Sequence, residues 1–338
     1  MILPSVEDQI TASSGTKVAY MELRRLGSTG LHISRLGLGT MTWGRDTDEH
    51  EAADQLREFV DAGGNFIDTA ALYGSGDSER VIGGLLGALV KRDDIVLASK
   101  CGLSYVDGIR VVDTSKRAIL RELDQSLQRL GTDHLDIWQL HAWDNITPLD
   151  ESLAALDVAV ISGRVRYAGI SNYSGWQTSR AFSIQESATL KAPISATQNE
   201  YSLLSRNVER EVLPCAKELG MGFLAWSPLG RGVLTGKYRN GMPIDSRGAS
   251  PHFSGFVEPY FDQRSRSIVD AVAAASDGLG IAPLEVALAW VRDAPGVTSA
   301  IVGARTAAQL RGVLLTEGVT LPAVVREALN DVSEQGQS

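Results

Sequence analysis

Four side chains in this sequence have types and spacing that suit one piece of chemistry: Asp68, Tyr73, Lys100 and His141. The apolar run Phe66-Ile67 ends in Asp68, and Tyr73 comes just before the glycine turn Gly74-Ser75-Gly76. Lys100 and His141 end two later apolar runs, Ile95-Val96-Leu97-Ala98 and Leu135 to Leu140. A phenol with an ordinary pKa of about 10 is a poor proton donor at neutral pH. An ammonium beside it stabilises the phenolate and lowers that value. Asp68 would keep the ammonium charged and in place, and His141 could donate a hydrogen bond to a substrate oxygen. Together they would polarise a carbonyl and protonate its oxygen as it becomes an alkoxide. Taken singly, a strand-end aspartate is often a cap, and a lone lysine or histidine is usually solvated. Placement at the ends of consecutive strands makes a shared site the stronger reading.

For this chemistry the four residues must converge, and the element pattern offers a way. Residues 1–20, without clear periodicity before Met21, are expected to be a flexible extension, and 21–338 a single domain. Met21 to Leu26, the turn Gly27-Ser28-Thr29-Gly30 and Leu31-His32-Ile33 predict a β-hairpin. Short strands are then expected over 34–39, 65–68, 94–99, 135–140, 166–170, 196–199, 222–226 and 299–302. Helical spacing predicts helices over 48–62, 78–89, 114–130 (capped by Thr114), 148–162, 176–190, 208–219, 262–279, 283–292, 306–315 and 322–332. In 48–62 the apolar face is Ala52, Leu56, Phe59 and Val60; in 114–130 it is Ile119, Leu123, Leu127 and Leu130. Strands alternating with helices in this number predict an α/β fold, a (β/α)8 TIM barrel with an N-terminal β-hairpin. A long Gly/Pro-rich loop after strand 7, over 229–260, has the length of a lid or binding loop. An open doubly wound sheet is the runner-up, and it lacks the Gly-x-Gly-x-x-Gly turn such sheets use.

Composition narrows the function. The 338-residue chain carries a formal net charge of −9, which argues against a nucleic-acid partner. The two cysteines, Cys101 and Cys215, form no disulfide framework and suit a cytoplasmic setting. No apolar run reaches membrane-spanning length, and Glu7 and Asp8 are unlike a secretory signal. Only five histidines are present, with no ligand cluster at strand ends, so no metal is expected. The chain is expected to act on a small-molecule carbonyl, as a monomer or homo-oligomer.

An ordered set of segments resembles the aldo-keto reductase family. These are Asp68-Thr69-Ala70-Ala71-Leu72-Tyr73-Gly74, Ala98-Ser99-Lys100, Gln139-Leu140-His141, Gly169-Ile170-Ser171-Asn172-Tyr173 and Gln198-Asn199-Glu200-Tyr201. Trp226-Ser227-Pro228-Leu229-Gly230, Gly236-Lys237-Tyr238 and Gly303-Ala304-Arg305-Thr306 complete it. The likeness runs from about residue 21 to 332 and is similar to the potassium-channel β-subunit-like branch. It implies NADPH-dependent carbonyl reduction, with Asp68, Tyr73, Lys100 and His141 as tetrad and Tyr73 as general acid. It also implies that NADPH/NADP+ lies across the barrel rim. Gly39, Thr40, Met41 and Asp68 would border the cofactor. Ser171, Asn172 and Gln198 would hold the carboxamide, and Trp226 would stack on the nicotinamide. Ser227, Pro228, Leu229 and Gly230 would meet the pyrophosphate, with Lys237 and Arg247 supplying charge. Gly303, Arg305 and Gln309 would line the 2′-phosphate pocket. Many members carry a Glu-Asn pair where this sequence has Gly312 and Val313, so the adenine is expected to be held differently.

Trp43, Tyr73, His141 and Trp143 are expected to line the substrate pocket, with Leu72, Tyr105, Phe253 and Phe256 as further apolar candidates. Two alternatives compete. Lys100 could form a Schiff base, as in barrel lyases. The chain could instead be a cofactor-binding regulatory subunit with little turnover.

Overall fold

The computed structural model describes residues 20–187, 192–244 and 246–334. The expected extension over 1–20 lies outside the described residues, apart from Tyr20. Eight parallel strands close into a barrel: β3 (Leu36–Gly39), β4 (Phe66–Asp68), β5 (Val96–Cys101), β8 (Leu135–Leu140), β9 (Val165–Ser171), β10 (Ile194–Glu200), β11 (Gly222–Trp226) and β12 (Val297–Val302). Their order around the ring is β3-β4-β5-β8-β9-β10-β11-β12, which returns to β3. The expected barrel is present, each strand within a few residues of its predicted place.

Two antiparallel hairpins are added. β1 (Leu23–Arg25) pairs with β2 (His32–Ser34), as the sequence predicts. Their turn lies against the start of β11, where the Ser28 N–H donates to the Gly220 carbonyl at 2.7 Å. Leu26 and Ile33, both 0% exposed, join Phe66, Val96, Ala98, Ile137, Ala196, Leu224 and Ile301 in the barrel interior. This hairpin plugs the N-terminal end. The second hairpin, β6 (Leu103–Val106) and β7 (Ile109–Val112), follows β5 and was not expected. Its turn is Asp107-Gly108, both at positive φ (51° and 76°). An Asp-Gly pair favours that primed turn, and it was the available signal.

Helices form the outer layer. α1 (Glu49–Asp61) is capped by Asp48, which accepts from the Glu51 N–H at 2.9 Å. Its buried face is Ala52, Leu56 and Phe59, with Val60 half-buried. α2 (Asp77–Leu85) ends before the predicted Leu89 because Gly87 turns the chain back to Val90. α3 (Lys116–Leu130) is capped by Ser115, not Thr114; the Thr114 hydroxyl instead reaches Asp144 at 3.2 Å and Ser152 at 2.8 Å. Burying Ile119, Leu123 and Leu130 on α3 contributes about 1.5–3 kcal/mol per side chain. α4 (Leu149–Ile161) and α5 (Gly175–Glu186) follow; residues 188–190 of the predicted fifth helix lie outside the described residues. α6 (Val212–Glu218) is shorter than 208–219 because Pro214 suits only a first turn. The segment after β11 contains short helical turns at 230–235, 247–249 and 258–260, and α7 (Ser254–Val257). α8 (Gln263–Leu279), α9 (Pro283–Arg292), α10 (Ala307–Leu314) and α11 (Ala323–Ser333) complete the chain. Among the described residues no single helix is long and apolar enough to cross a membrane.

Candidate active site

Strand parity places the site. Alternate residues of a strand point to the same face, and Phe66, Ala98, Ile137, Ala196 and Leu224 point into the barrel. Two residues further on stand Asp68, Lys100, Gln139, Gln198 and Trp226. The hydrophobic interior therefore ends upward in a polar layer, and His141 follows Gln139 above β8.

Lys100, 1% exposed, donates to Asp68 Oδ2 at 2.6 Å, to the Thr69 carbonyl at 2.9 Å and to the Tyr73 hydroxyl at 3.4 Å. The other oxygen of Asp68 accepts from Gln198 Nε2 at 2.9 Å. Burial pulls the Lys100 pKa down, but the charges of Asp68 and Tyr73 and their hydrogen bonds outweigh it, and it ends above its usual value. For Tyr73 the expected lowering does not emerge. Burial raises its pKa more than Lys100 lowers it, Asp68 raises it further, and the phenol ends above its usual value. Burial is the main cause, and Asp68 adds to it by offsetting part of the lysine's field.

His141 meets Tyr73 edge to face, with ring centroids 6.1 Å apart. Its pKa is held well below the usual histidine value by burial, then by the charges of Lys100 and Arg110. His141 Nδ1 and both amide atoms of Gln139 are buried with no hydrogen-bond partner among the described residues. With Nδ1 buried inside the protein, Nε2 is the ring nitrogen from which a neutral His141 would donate to a ligand in the cleft.

Asp68, Tyr73, His141 and Gln198 floor an open cleft of 1310 Å³. Gly39, Thr40, Met41, Asp68, Tyr73, His141, Ser171, Asn172, Gln198 and Trp226 line it, as do Ser227, Pro228, Leu229, Lys237, Arg247, Gly303, Arg305 and Gln309. Leu72, Tyr105, Phe253 and Phe256 line it too. Four expected residues do not: Lys100, 1% exposed, lies beneath the lining and holds Asp68 and Tyr73 from below, and three others stand elsewhere. Trp43 is 0% exposed and donates its indole N–H to Gln55 Oε1 at 3.1 Å, so it is core. Trp143 packs on Tyr173 and Trp176, with centroids 5.1 and 5.3 Å away. Gly230 is buried at φ 54°, where a Cβ would come within 2.6 Å of Leu204; it shapes the turn beneath the lining.

Several lining groups are already oriented. Ser171 Oγ donates to the Gln198 carbonyl at 2.9 Å. Asn172, at φ 59°, donates to the His141 carbonyl at 2.9 Å and accepts from Trp226 Nε1 at 3.0 Å. Thr40 turns its hydroxyl away, to the Asp68 carbonyl at 3.0 Å. The sequence reading missed Arg231. It pairs bidentately with Glu200 at 2.9 and 2.6 Å and lies 4.0 Å over the Phe256 ring and 5.8 Å from that of Trp226. Phe256 stacks near-parallel on Trp226, with centroids 6.4 Å apart. Arg231 thus ties the long loop to the end of β10. No motif marks a pair 31 positions apart.

At the far side Arg45, Lys237, Arg247 and Arg305 gather in the lining. Arg247 is pulled below its usual pKa by burial and by the charge of Arg305, with Arg45 adding to the effect. Like charges held together in this way make a site for an anion. Gly303 keeps the wall thin there: a Cβ would lie 3.4 Å from the Gly39 carbonyl oxygen and 3.5 Å from Arg247 Nη2.

Residues 35–333 match the family model described as "Aldo/keto reductase family". An uncharacterized oxidoreductase of Bacillus subtilis strain 168, YrpG, is 36% identical over 323 residues, spanning 92% of this chain and 96% of that protein. The aldo-keto reductase YhdN of the same organism is 31% identical, covering 93% and 94% of the two chains. A probable voltage-gated potassium channel subunit beta of Oryza sativa subsp. japonica is 36% identical over 84% of this chain and 87% of its own.

Proposed function

This chain belongs to the aldo/keto reductase family of oxidoreductases, and from that premise we propose that it reduces an aldehyde or ketone to an alcohol with NADPH, Tyr73 giving the proton. The observation that carries the reading is the unbroken contact from Asp68 through Lys100 to Tyr73, at 2.6 and 3.4 Å, on the floor of the cleft. When bound, the cofactor supplies a hydride. The chain's residues do the rest. Tyr73, its pKa above the usual value, is protonated at neutral pH and holds a proton at its hydroxyl for the substrate oxygen. Lys100 stays charged and stabilises the phenolate left behind. Neutral His141 donates from Nε2 to the same oxygen and fixes the carbonyl's direction.

The residues present suit NADPH. Arg45, Lys237, Arg247 and Arg305 form the cationic end of the cleft, fit for a phosphate ester. Trp226 offers an aromatic face beside Ser171, Asn172 and Gln198. Val313 is in the lining where a polar residue could have met the adenine, and it gives an apolar wall instead. A Schiff-base role for Lys100 is disfavoured: a nucleophilic amine must be neutral, and this one is kept charged beside Asp68. Likeness to a potassium channel β subunit favours a second reading, a cofactor-sensing regulatory subunit. We place the protein in the cytoplasm.

The test is tryptophan fluorescence titration with NADPH and NADH, followed by turnover on a panel of aldehydes and ketones. Tight NADPH binding with turnover supports the reductase. Binding without turnover on any carbonyl supports the regulatory reading, and binding of neither cofactor overturns both.

A further inference from the structure

The β6–β7 hairpin stands over the catalytic end of the cleft, and its register sorts its side chains. Leu103 pairs with Val112 and Tyr105 with Arg110, while Ser104 pairs with Val111 and Val106 with Ile109. Directly paired residues share a face and alternate pairs share the same one. Leu103, Tyr105 and Arg110 all line the cleft. Val106 and Ile109 take the opposite face; Tyr105, 59% exposed, and Arg110, also exposed, stand at the outer rim of the cleft.

The hairpin's base is fixed. The Gly102 N–H donates to Glu122 Oε2 at 2.9 Å, and the Asp113 N–H to the Gly102 carbonyl at 3.1 Å. Arg110 is presented on this frame with no hydrogen-bond or ion-pair partner among the described residues. Arg231, the other arginine of the lining outside the cationic end, is committed to Glu200. The field of Arg110 also reaches His141, which puts the guanidinium on the His141 side of the cleft. β5 and β11 are four places apart in the eight-strand ring, hence opposite each other. Lys237 and Arg247 come from the loop after β11, so Arg110 enters the cleft from the opposite side of the ring.

We propose that Arg110, backed by Tyr105, binds a carboxylate on the substrate, so that this site takes aldehydes or ketones bearing an acid group at the end remote from the carbonyl. The inference rests on the carbonyl-reductase reading above. A single guanidinium matches a planar monoanion with two parallel hydrogen bonds; a phosphate dianion would keep an uncompensated charge. The carbonyl would lie at Tyr73 and His141 and the acid would point outward under the hairpin.

The experiment compares kcat/KM of the full chain with NADPH for 4-carboxybenzaldehyde and for its neutral methyl ester. A shorter pair, succinic semialdehyde and butanal, is run alongside. The acid-to-neutral ratio is expected to favour the acid in at least one pair and to fall as salt rises. In Arg110→Ala that ratio is expected to drop about tenfold, the size of one charge-assisted hydrogen bond, through KM rather than kcat. Arg110→Lys should recover part of it and Arg110→Glu should reverse it. A ratio unchanged in both Arg110→Ala and Arg110→Glu overturns the proposal and leaves the reductase reading standing. Reduction of other carbonyls of the panel but of none of these four overturns this inference alone, whereas no turnover on any carbonyl removes the reductase reading and this inference with it.

Discussion

Lys100 Nζ and Asp68 Oδ2 lie 2.6 Å apart, with side chains only 1% and 3% exposed. A charge pair so placed attracts strongly because little water screens it, yet each ion has given up its hydration. Removing one partner strands the other. Asp68→Asn is expected to cost about 3–5 kcal/mol of stability and to lower the Lys100 pKa. Urea unfolding of the two proteins at neutral pH measures the cost; an unchanged midpoint would show that the pair is better solvated than its geometry implies.

The same pair sets a pH dependence. Lys100 is raised above its unfolded value, so folding favours its protonated form. That stabilisation is complete below the unfolded lysine pKa and fades as pH rises through the higher folded one. The stability difference between the protein and Lys100→Met should therefore be flat through neutrality and shrink above about pH 10.5. Denaturation midpoints of both across that window are the check.

Tyr73→Phe keeps the ring and removes the proton. Turnover is expected to fall by about 10²–10⁴, the range for losing a general acid, while the NADPH dissociation constant stays near its original value. Stopped-flow reduction paired with fluorescence titration separates the two quantities. Undiminished turnover would remove Tyr73 from the proton-donor role.

His141 titrates well below an ordinary histidine. As pH falls below about 6.5, the unfolded chain takes up a proton there that the folded chain refuses, so stability declines with acid. His141→Asn should lose less stability than the unaltered protein between pH 7 and pH 5. Thermal unfolding across that interval tests it, and parallel losses would mean the imidazole is more open to water than its packing suggests.

Arg305→Ala should weaken NADPH by about tenfold, as expected for a charged hydrogen bond, and NADH much less. Equal losses for the two cofactors would remove Arg305 from the 2′-phosphate site.

The barrel was legible because its strands are buried: β5 and β12 have no exposed residue, and each carries a short apolar run, Val96-Leu97-Ala98 and Ala300-Ile301-Val302. The tetrad was legible for a related reason, since each member ends such a run or closely follows one. Aromatic identity was a poorer guide. Trp43 and Trp143 sit near the right loops, but where a ring points depends on partners such as Gln55 and Tyr173, which come from elsewhere in the chain. The effect of Lys100 on Tyr73 also went astray, because the sign depends on burial and on how far Asp68 offsets the charge. The β6–β7 hairpin was hidden by being short and mostly exposed, with apolar residues on both faces and so no alternation to read. It still carried one clear mark in Asp107-Gly108.

Among the described residues, Leu26 and Ile33 close one end of the barrel, and the cleft opens at the other. Everything that reaches Tyr73 enters past the hairpin and the long loop and must leave the same way. On the proposed reading cofactor and substrate share that entrance, so whichever of them seats deeper is expected to arrive first and depart last.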